Sequence, residues 1–133
     1  FVAGFLGSPQ MNFVPCRLDD GALVFADGRT LPLPAARATR LDAYRGRPLT
    51  LGIRPEHFSR TGGTPRPGQV PLRVTVDLVQ PTGTRTYATF KLGAAEVSAE
   101  LPAHTVETPG TELELLADLD RAILIDPETE RVV

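Results

Sequence analysis

The chain has 133 residues and is 41% hydrophobic, which suffices for one sizeable core, or two small barrels sharing a wall, but not for two independent domains. Its formal net charge of -2 supplies no broad positive field, so a nucleic-acid or anionic-lipid surface is a poor default partner. Cys16 is the single cysteine, which excludes a disulfide framework and a cysteine-rich metal motif and is what a reducing compartment would require.

Phe1, Val2, Phe5 and Leu6 form an apolar stripe that Gly7, Ser8 and Pro9 interrupt, because Pro9 pushes Ser8 out of the helical region. This opening reads as the end of a helix. It begins with Phe rather than Met, is too short to span a membrane and lacks a basic leader, so the chain is expected to be an excised piece of a longer protein.

Met11 to Leu18 favours a strand, and Asp19, Asp20 and Gly21 supply turn chemistry before a second strand at Ala22 to Ala26. Asp27 and Gly28 signal another turn, so a third strand closes at Leu31 and ends in Pro32 to Pro34. Ala35 to Tyr44 predicts one short helix with Gly46 past its end. Leu49, Leu51 and Ile53 alternate with Thr50 and Gly52 as a strand that stops at Arg54 and Pro55, where a helical turn can open. Ser59 to Gly68, rich in glycine and proline, is expected to be a mobile loop without ladder bonds.

The clearest strand is Val70 to Val79. There Val70, Leu72, Val74, Val76 and Leu78 are expected to share a core face, with Arg73, Thr75 and Asp77 on the wet one. A turn at Pro81 to Thr84 leads to a strand at Arg85 to Leu92, and Gly93 breaks it before another in which Glu96, Ser98 and Glu100 alternate with Val97, Ala99 and Leu101. Leu113 and Leu115 alternate with glutamates, and Ile123 to Ile125 gives a last short strand. Many short strands with turn signals between them predict an all-β chain, a small OB-like barrel of antiparallel strands with one or two short helices.

No chemistry is written in the motifs. A phosphate-cradling glycine loop is absent, and Lys91 follows Phe90 rather than a glycine. His57 and His104 are far apart in sequence and outside any metal motif, and no serine has a nucleophile-elbow context. The acidic residues of the stretch Val97 to Leu116 have the period-two spacing of a solvated sheet face rather than of a carboxylate pair. The chain is therefore read as not an enzyme.

The opening FVAGFLGSPQMNF, Phe1 to Phe13, together with LGIRPEHF, Leu51 to Phe58, resembles the regulatory domain of the maltose and glycerol-3-phosphate class of ABC import ATPases. VTVDLVQPTGTRTYATF at Val74 to Phe90 is similar to that family's strand, turn and strand, and Leu115 to Thr129 to its closing segment. Thr82, Arg85 and Glu130 depart from the pattern, which bears on loop contacts rather than on the fold. The resemblance implies a transport-associated OB (TOBE) barrel over residues 9–133, behind a linker end at residues 1–8 from a nucleotide-binding domain. ATP and Mg would belong to that other domain, with no cofactor in this chain. It further implies a homodimer through the regulatory domains, contact with the chain's own nucleotide-binding domain, indirect contact with membrane subunits, no nucleic acid, and a place at the cytoplasmic face of the cell membrane.

The candidate interface comprises Phe1, Phe5, Ser8, Pro9, Met11, Asn12, Arg54, Pro55, Glu56 and His57. The Arg54 fork can bridge a subunit boundary or anchor its own turn, and His57 can act as a pH switch or simply pack. Thr82, Gly83, Thr84 and Arg85 form a candidate ligand loop for a small oxyanion, or a plain hairpin turn. Three functions compete: a regulatory and dimerising module, an oxyanion-sensing barrel, and a single-strand nucleic-acid module using Tyr87, Phe90, Arg85 and Lys91.

Overall fold

The structure, a computed structural model, describes residues 11–60 and 66–133. It is built mostly from antiparallel strands, as the alternation of side chains requires. The first hairpin pairs β1 (Asn12–Asp19) with β2 (Ala22–Phe25). Asp20 and Gly21 between them have φ of 50° and 78°, the left-handed pair of a type I′ turn whose twist matches the strands it joins. β3 (Thr30–Pro32) extends that edge, β4 (Pro48–Ile53) pairs with the other side of β1, and β10 (Ile123–Asp126) with β11 (Arg131–Val132) completes a sheet ordered β11-β10-β4-β1-β2-β3.

The second sheet runs β5 (Phe58–Arg60), β9 (Glu112–Asp118), β6 (Gln69–Pro81), β7 (Arg85–Leu92), β8 (Ala95–Pro102). It curls until β5 packs against β8, and the helical turn Pro55–His57 packs into the same gap. The curled half-barrel is consistent with an OB-like fold, and the contact of β5 with β8 partly covers its two edges. Both sheets share one core, to which Val14, Leu23, Leu51 and Leu124 contribute from the first and Phe90, Val97, Leu101 and Leu115 from the second. Phe58 and Phe90 meet edge to face with centroids 5.7 Å apart, a geometry worth about 1 kcal/mol beyond burial.

Three expectations are corrected. Ser59 and Arg60 are not loop: with Phe58 they form β5, in register with Leu116, Leu115 and Ala117 of β9, because burial of Phe58 against the core carries its neighbours into the ladder. The single helix over Ala35 to Tyr44 is instead α1 (Ala35–Arg40) followed by a tighter turn at Asp42–Tyr44. α1 fully buries none of its own residues, and after it only Leu41 is fully buried, with Ala38 and Tyr44 packing partly against the core, so little burial propagates the helix. Leu78 does not share the core face of Val76: β6 bulges between Val76 and Leu78, which reverses the alternation and leaves Leu78 47% exposed. The edge strand β11 has no counterpart in the sequence reading.

Candidate functional site

Where β1 leaves its start and β4 reaches its end, the chain brings the two sheets together through Asn12. Its Nδ2 donates to the Ile53 carbonyl at 3.1 Å and to the Ser98 carbonyl at 2.9 Å, while its Oδ1 accepts from the Ser98 N–H at 3.0 Å. The side-chain amide thus stands in for a peptide group and bridges β1 to β8 across the seam between sheets. Ser98 Oγ in turn lies 3.2 Å from Thr89 Oγ1 on β7. Met11 packs over Gly52, where an added Cβ would sit 2.8 Å from its sulfur and 2.8 Å from Ile123 Cγ1. Only a glycine at position 52 leaves room for that approach.

Pro55 is buried at the start of the Pro55–His57 turn, Arg54 caps it in an extended conformation, and its carbonyl accepts the His57 N–H at 3.0 Å. Glu56 is exposed, and the His57 Nδ1 is buried without a partner among the described residues. Beside this turn a groove of about 730 Å³ is lined by Met11, Asn12, Phe13, Pro55, Tyr87, Glu96 and Ser98. Of the residues singled out from sequence, Met11, Asn12 and Pro55 therefore meet at one groove, and Arg54, Glu56 and His57 belong to its flanking turn. Phe1, Phe5, Ser8 and Pro9 lie outside the described residues. Tyr87 was singled out only for the nucleic-acid reading, and Glu96 and Ser98 not as site residues, although the alternation of β8 already put Glu96 and Ser98 on a wet face.

The loop Thr82 to Arg85 is arranged differently. Both the N–H and the hydroxyl of Thr82 donate to the Arg85 carbonyl, at 2.9 and 3.1 Å, and the Arg85 guanidinium pairs with Glu100 at 3.4 Å. The two Thr82 donors close a hairpin turn. A pocket of about 230 Å³ behind it is lined by Val79, Pro81, Arg85, Val106 and the pair His104 and Glu107, whose Nδ1 and Oε1 are 3.2 Å apart.

A second tie between the sheets is made by Asp27. Its Oδ1 accepts from the Arg29 N–H and its Oδ2 from the Gly93 N–H in the β7–β8 turn, both at 3.0 Å, with Arg29 Nε 3.5 Å away. Partial burial pushes this carboxyl upward, but the two backbone N–H groups and the guanidinium outweigh it and hold it below the usual carboxylate range. Burial pushes the Cys16 thiol up to about 12, so it is an inert core residue rather than a nucleophile. Among the described residues no group of three or more His, Cys, Asp or Glu side chains is placed to hold a metal ion, and no helix is long and apolar enough to cross a membrane.

A family model for the "MalK OB fold domain" matches residues 7–58, and one for the "TOBE domain" matches residues 51–125. The chain is 39% identical over 133 residues to the sulfoquinovosyl glycerol transport ATP-binding protein SmoE of Agrobacterium fabrum, covering 100% of this chain and 36% of that one. It is 38% identical over 132 residues to the sn-glycerol-3-phosphate import ATP-binding protein UgpC of Burkholderia lata, covering 97% and 35%. With the multiple sugar-binding transport ATP-binding protein MsmK of Streptococcus mutans it shares 33% over 138 residues, covering 100% and 36%. The chain thus spans about a third of the length of these relatives. Its fold is similar to that of the cytoplasmic molybdate-binding protein ModG with molybdate bound, at a TM-score of 0.60 and 15% identity, covering 86% of this chain and 92% of that one.

Proposed function

The chain belongs to the TOBE domain family, and from that premise we propose that it is the non-catalytic regulatory and dimerising domain of an ABC import ATP-binding subunit for sugars or sn-glycerol-3-phosphate-like solutes. The observation that carries the reading is a match along essentially the whole chain to proteins named as transport ATP-binding proteins, of which it accounts for only about a third. In this reading residues 1–8 are the end of a linker, residues 9–133 the regulatory domain, and ATP with Mg acts in a nucleotide-binding domain elsewhere in the protein. The subunit then sits at the cytoplasmic face of the membrane, against membrane subunits it meets indirectly.

Chemically, the domain offers shape and polar positioning rather than reacting groups. A barrel whose seam is fixed by Asn12 is a rigid body, and two such bodies in contact keep a pair of ATPase halves together while these open and close. The reading of Met11, Asn12 and Pro55 as interface residues is supported by their lining one groove, with the candidates Arg54, Glu56 and His57 in the turn beside it. Steady-state assays of the chain are expected to give no ATP hydrolysis, and sedimentation equilibrium is expected to give a reversible dimer. Turnover of ATP by the purified chain would sink the non-catalytic part, and a monomer at every concentration the dimerising part.

A further inference from the structure

One polar side chain holds a core position at the end of the second sheet. Thr86 alternates with Ala88, Phe90 and Leu92 on the inner face of β7 and is 2% exposed. Its hydroxyl has no hydrogen-bond partner among the described residues, an arrangement that costs stability inside a core. The oxygen is not sealed off as the partnerless Arg37 Nε and His57 Nδ1 are, so the little surface that Thr86 keeps includes it, and Thr86 lines the pocket of about 230 Å³ behind the Thr82–Arg85 turn.

The walls of that pocket are apolar and are put in place by the backbone. The bulge in β6 that turns Leu78 outward turns Val79 inward onto one wall, and Pro81 extends it. Ala103 and the buried Val106 come from the loop after β8. In that loop His104 has a φ of 65°, a left-handed conformation that favours glycine, within a turn closed by the Thr105 N–H and hydroxyl on the Pro102 carbonyl at 3.2 and 2.6 Å. The turn sets His104 at the pocket with its Nδ1 3.2 Å from Glu107 Oε1.

We propose that this pocket is a binding site for a small uncharged amphiphile, an alcohol or ketone whose oxygen meets the Thr86 hydroxyl and whose compact apolar body lies against Val79, Pro81, Ala103 and Val106. A hydroxyl both donates and accepts, so either oxygen type satisfies it. A six-carbon ring fills an apolar cavity of about 150 Å³, and the 230 Å³ here takes such a body with a polar tip. Ions are disfavoured because the charged groups at the pocket are already matched, His104 with Glu107 and Arg85 with Glu100 at 3.4 Å. Apolar walls with one placed polar group at the mouth of a barrel are the usual make-up of a small-molecule site. The site lies within a single copy and goes beyond the transport reading, so neither dimerisation nor its failure decides it.

The probe is cyclohexanol, added to the 133-residue chain while backbone amide resonances are followed by NMR. Saturable shifts centred on Val79, Thr86 and Val106 are expected, with a dissociation constant on the order of millimolar. Glycerol, which has hydroxyls without an apolar body, and molybdate, an anion, are expected to leave those amides unmoved. Thr86→Val is expected to weaken cyclohexanol binding about 10-fold and yet to melt no lower than wild type, because it removes a hydroxyl that has no protein partner. Ala103→Phe, which fills the pocket from its loop, is expected to abolish the shifts, with the rest of its spectrum reporting that it is folded. Absence of a saturable shift, or shifts scattered over the surface, overturns the proposal. So does a Thr86→Val chain that binds as tightly, or that melts lower, since the hydroxyl then serves the fold. Displacement of cyclohexanol by molybdate makes the pocket an anion site and overturns it as well.

Discussion

Asn12 and the loop Thr82 to Arg85 were both singled out from the sequence as polar groups with something to hold, and the structure uses them in opposite ways. Asn12 reaches 86 residues along the chain to Ser98 and 41 to Ile53, whereas Thr82 satisfies itself three residues away on the Arg85 carbonyl. A polar side chain that bonds locally makes a turn, and one that bonds across sheets fixes where surfaces stand relative to each other. The first is interchangeable with other turn chemistry; the second is not. For that reason the groove, not the loop, is the part of this barrel in which geometry is held against change.

The largest expected effect is at the seam itself. Asn12→Ala removes both partners of Ser98 and leaves its backbone N–H and carbonyl short of bonds, a loss of about 3 kcal/mol, whereas Thr82→Ala should cost about 0.5 kcal/mol. Urea denaturation of the two variants measures the contrast, and equal losses would erase it. A smaller difference separates two glycines. Gly52→Ala drives a methyl into Met11 and Ile123 and should cost about 2 kcal/mol. Gly83→Ala meets no atom within 4 Å and is penalised only for its φ of 94°, about 1 kcal/mol. Thermal melts that rank Gly83→Ala as the worse of the two would show that the groove tolerates expansion.

The smallest effect is the pH dependence of the Asp27 tie. Its carboxyl titrates below its unfolded value, so the unfolded chain binds the proton first and stability rises with pH through that window. The contribution is fully present above the ordinary carboxylate range and is lost as pH falls through the lowered folded value. Denaturation midpoints followed downward from neutral pH should fall less steeply in Asp27→Asn than in the wild type; parallel curves would detach Asp27 from the acid response.

Much of the fold was legible because it is local. Alternation named the faces of β4, β8 and β6 up to its bulge, and Asp20-Gly21 marked the first hairpin, since side-chain parity and left-handed turn residues are properties of a few adjacent positions. The failures share a different origin. Ser59 and Arg60 are composed like a loop and become a strand only because Phe58 is anchored on Phe90, 32 positions away. Leu78 obeys the periodicity of Val70 to Val76 in sequence and breaks it in space, because nothing in the side chains announces an unpaired residue in the ladder. The candidate site was half legible: Asn12, Met11 and Pro55 were picked out through a family resemblance, but Tyr87, Glu96 and Ser98 join them only when β8 is laid beside β1, and strand adjacency across a seam is not a local property.

The bulge at Asp77 has a wider meaning as a phase slip. In a regular strand the facing of every residue is fixed by its parity, so moving an aliphatic from inside to outside would ordinarily require replacing it. Here one supernumerary residue inverts the reading frame of the strand from Leu78 onward, turning Leu78 outward and Val79 inward without altering a single side chain. Surface character at this end of β6 is therefore set by a count rather than by a composition. Insertion or deletion of one residue, a change normally counted as damage to a sheet, is here enough to expose or hide an aliphatic side chain.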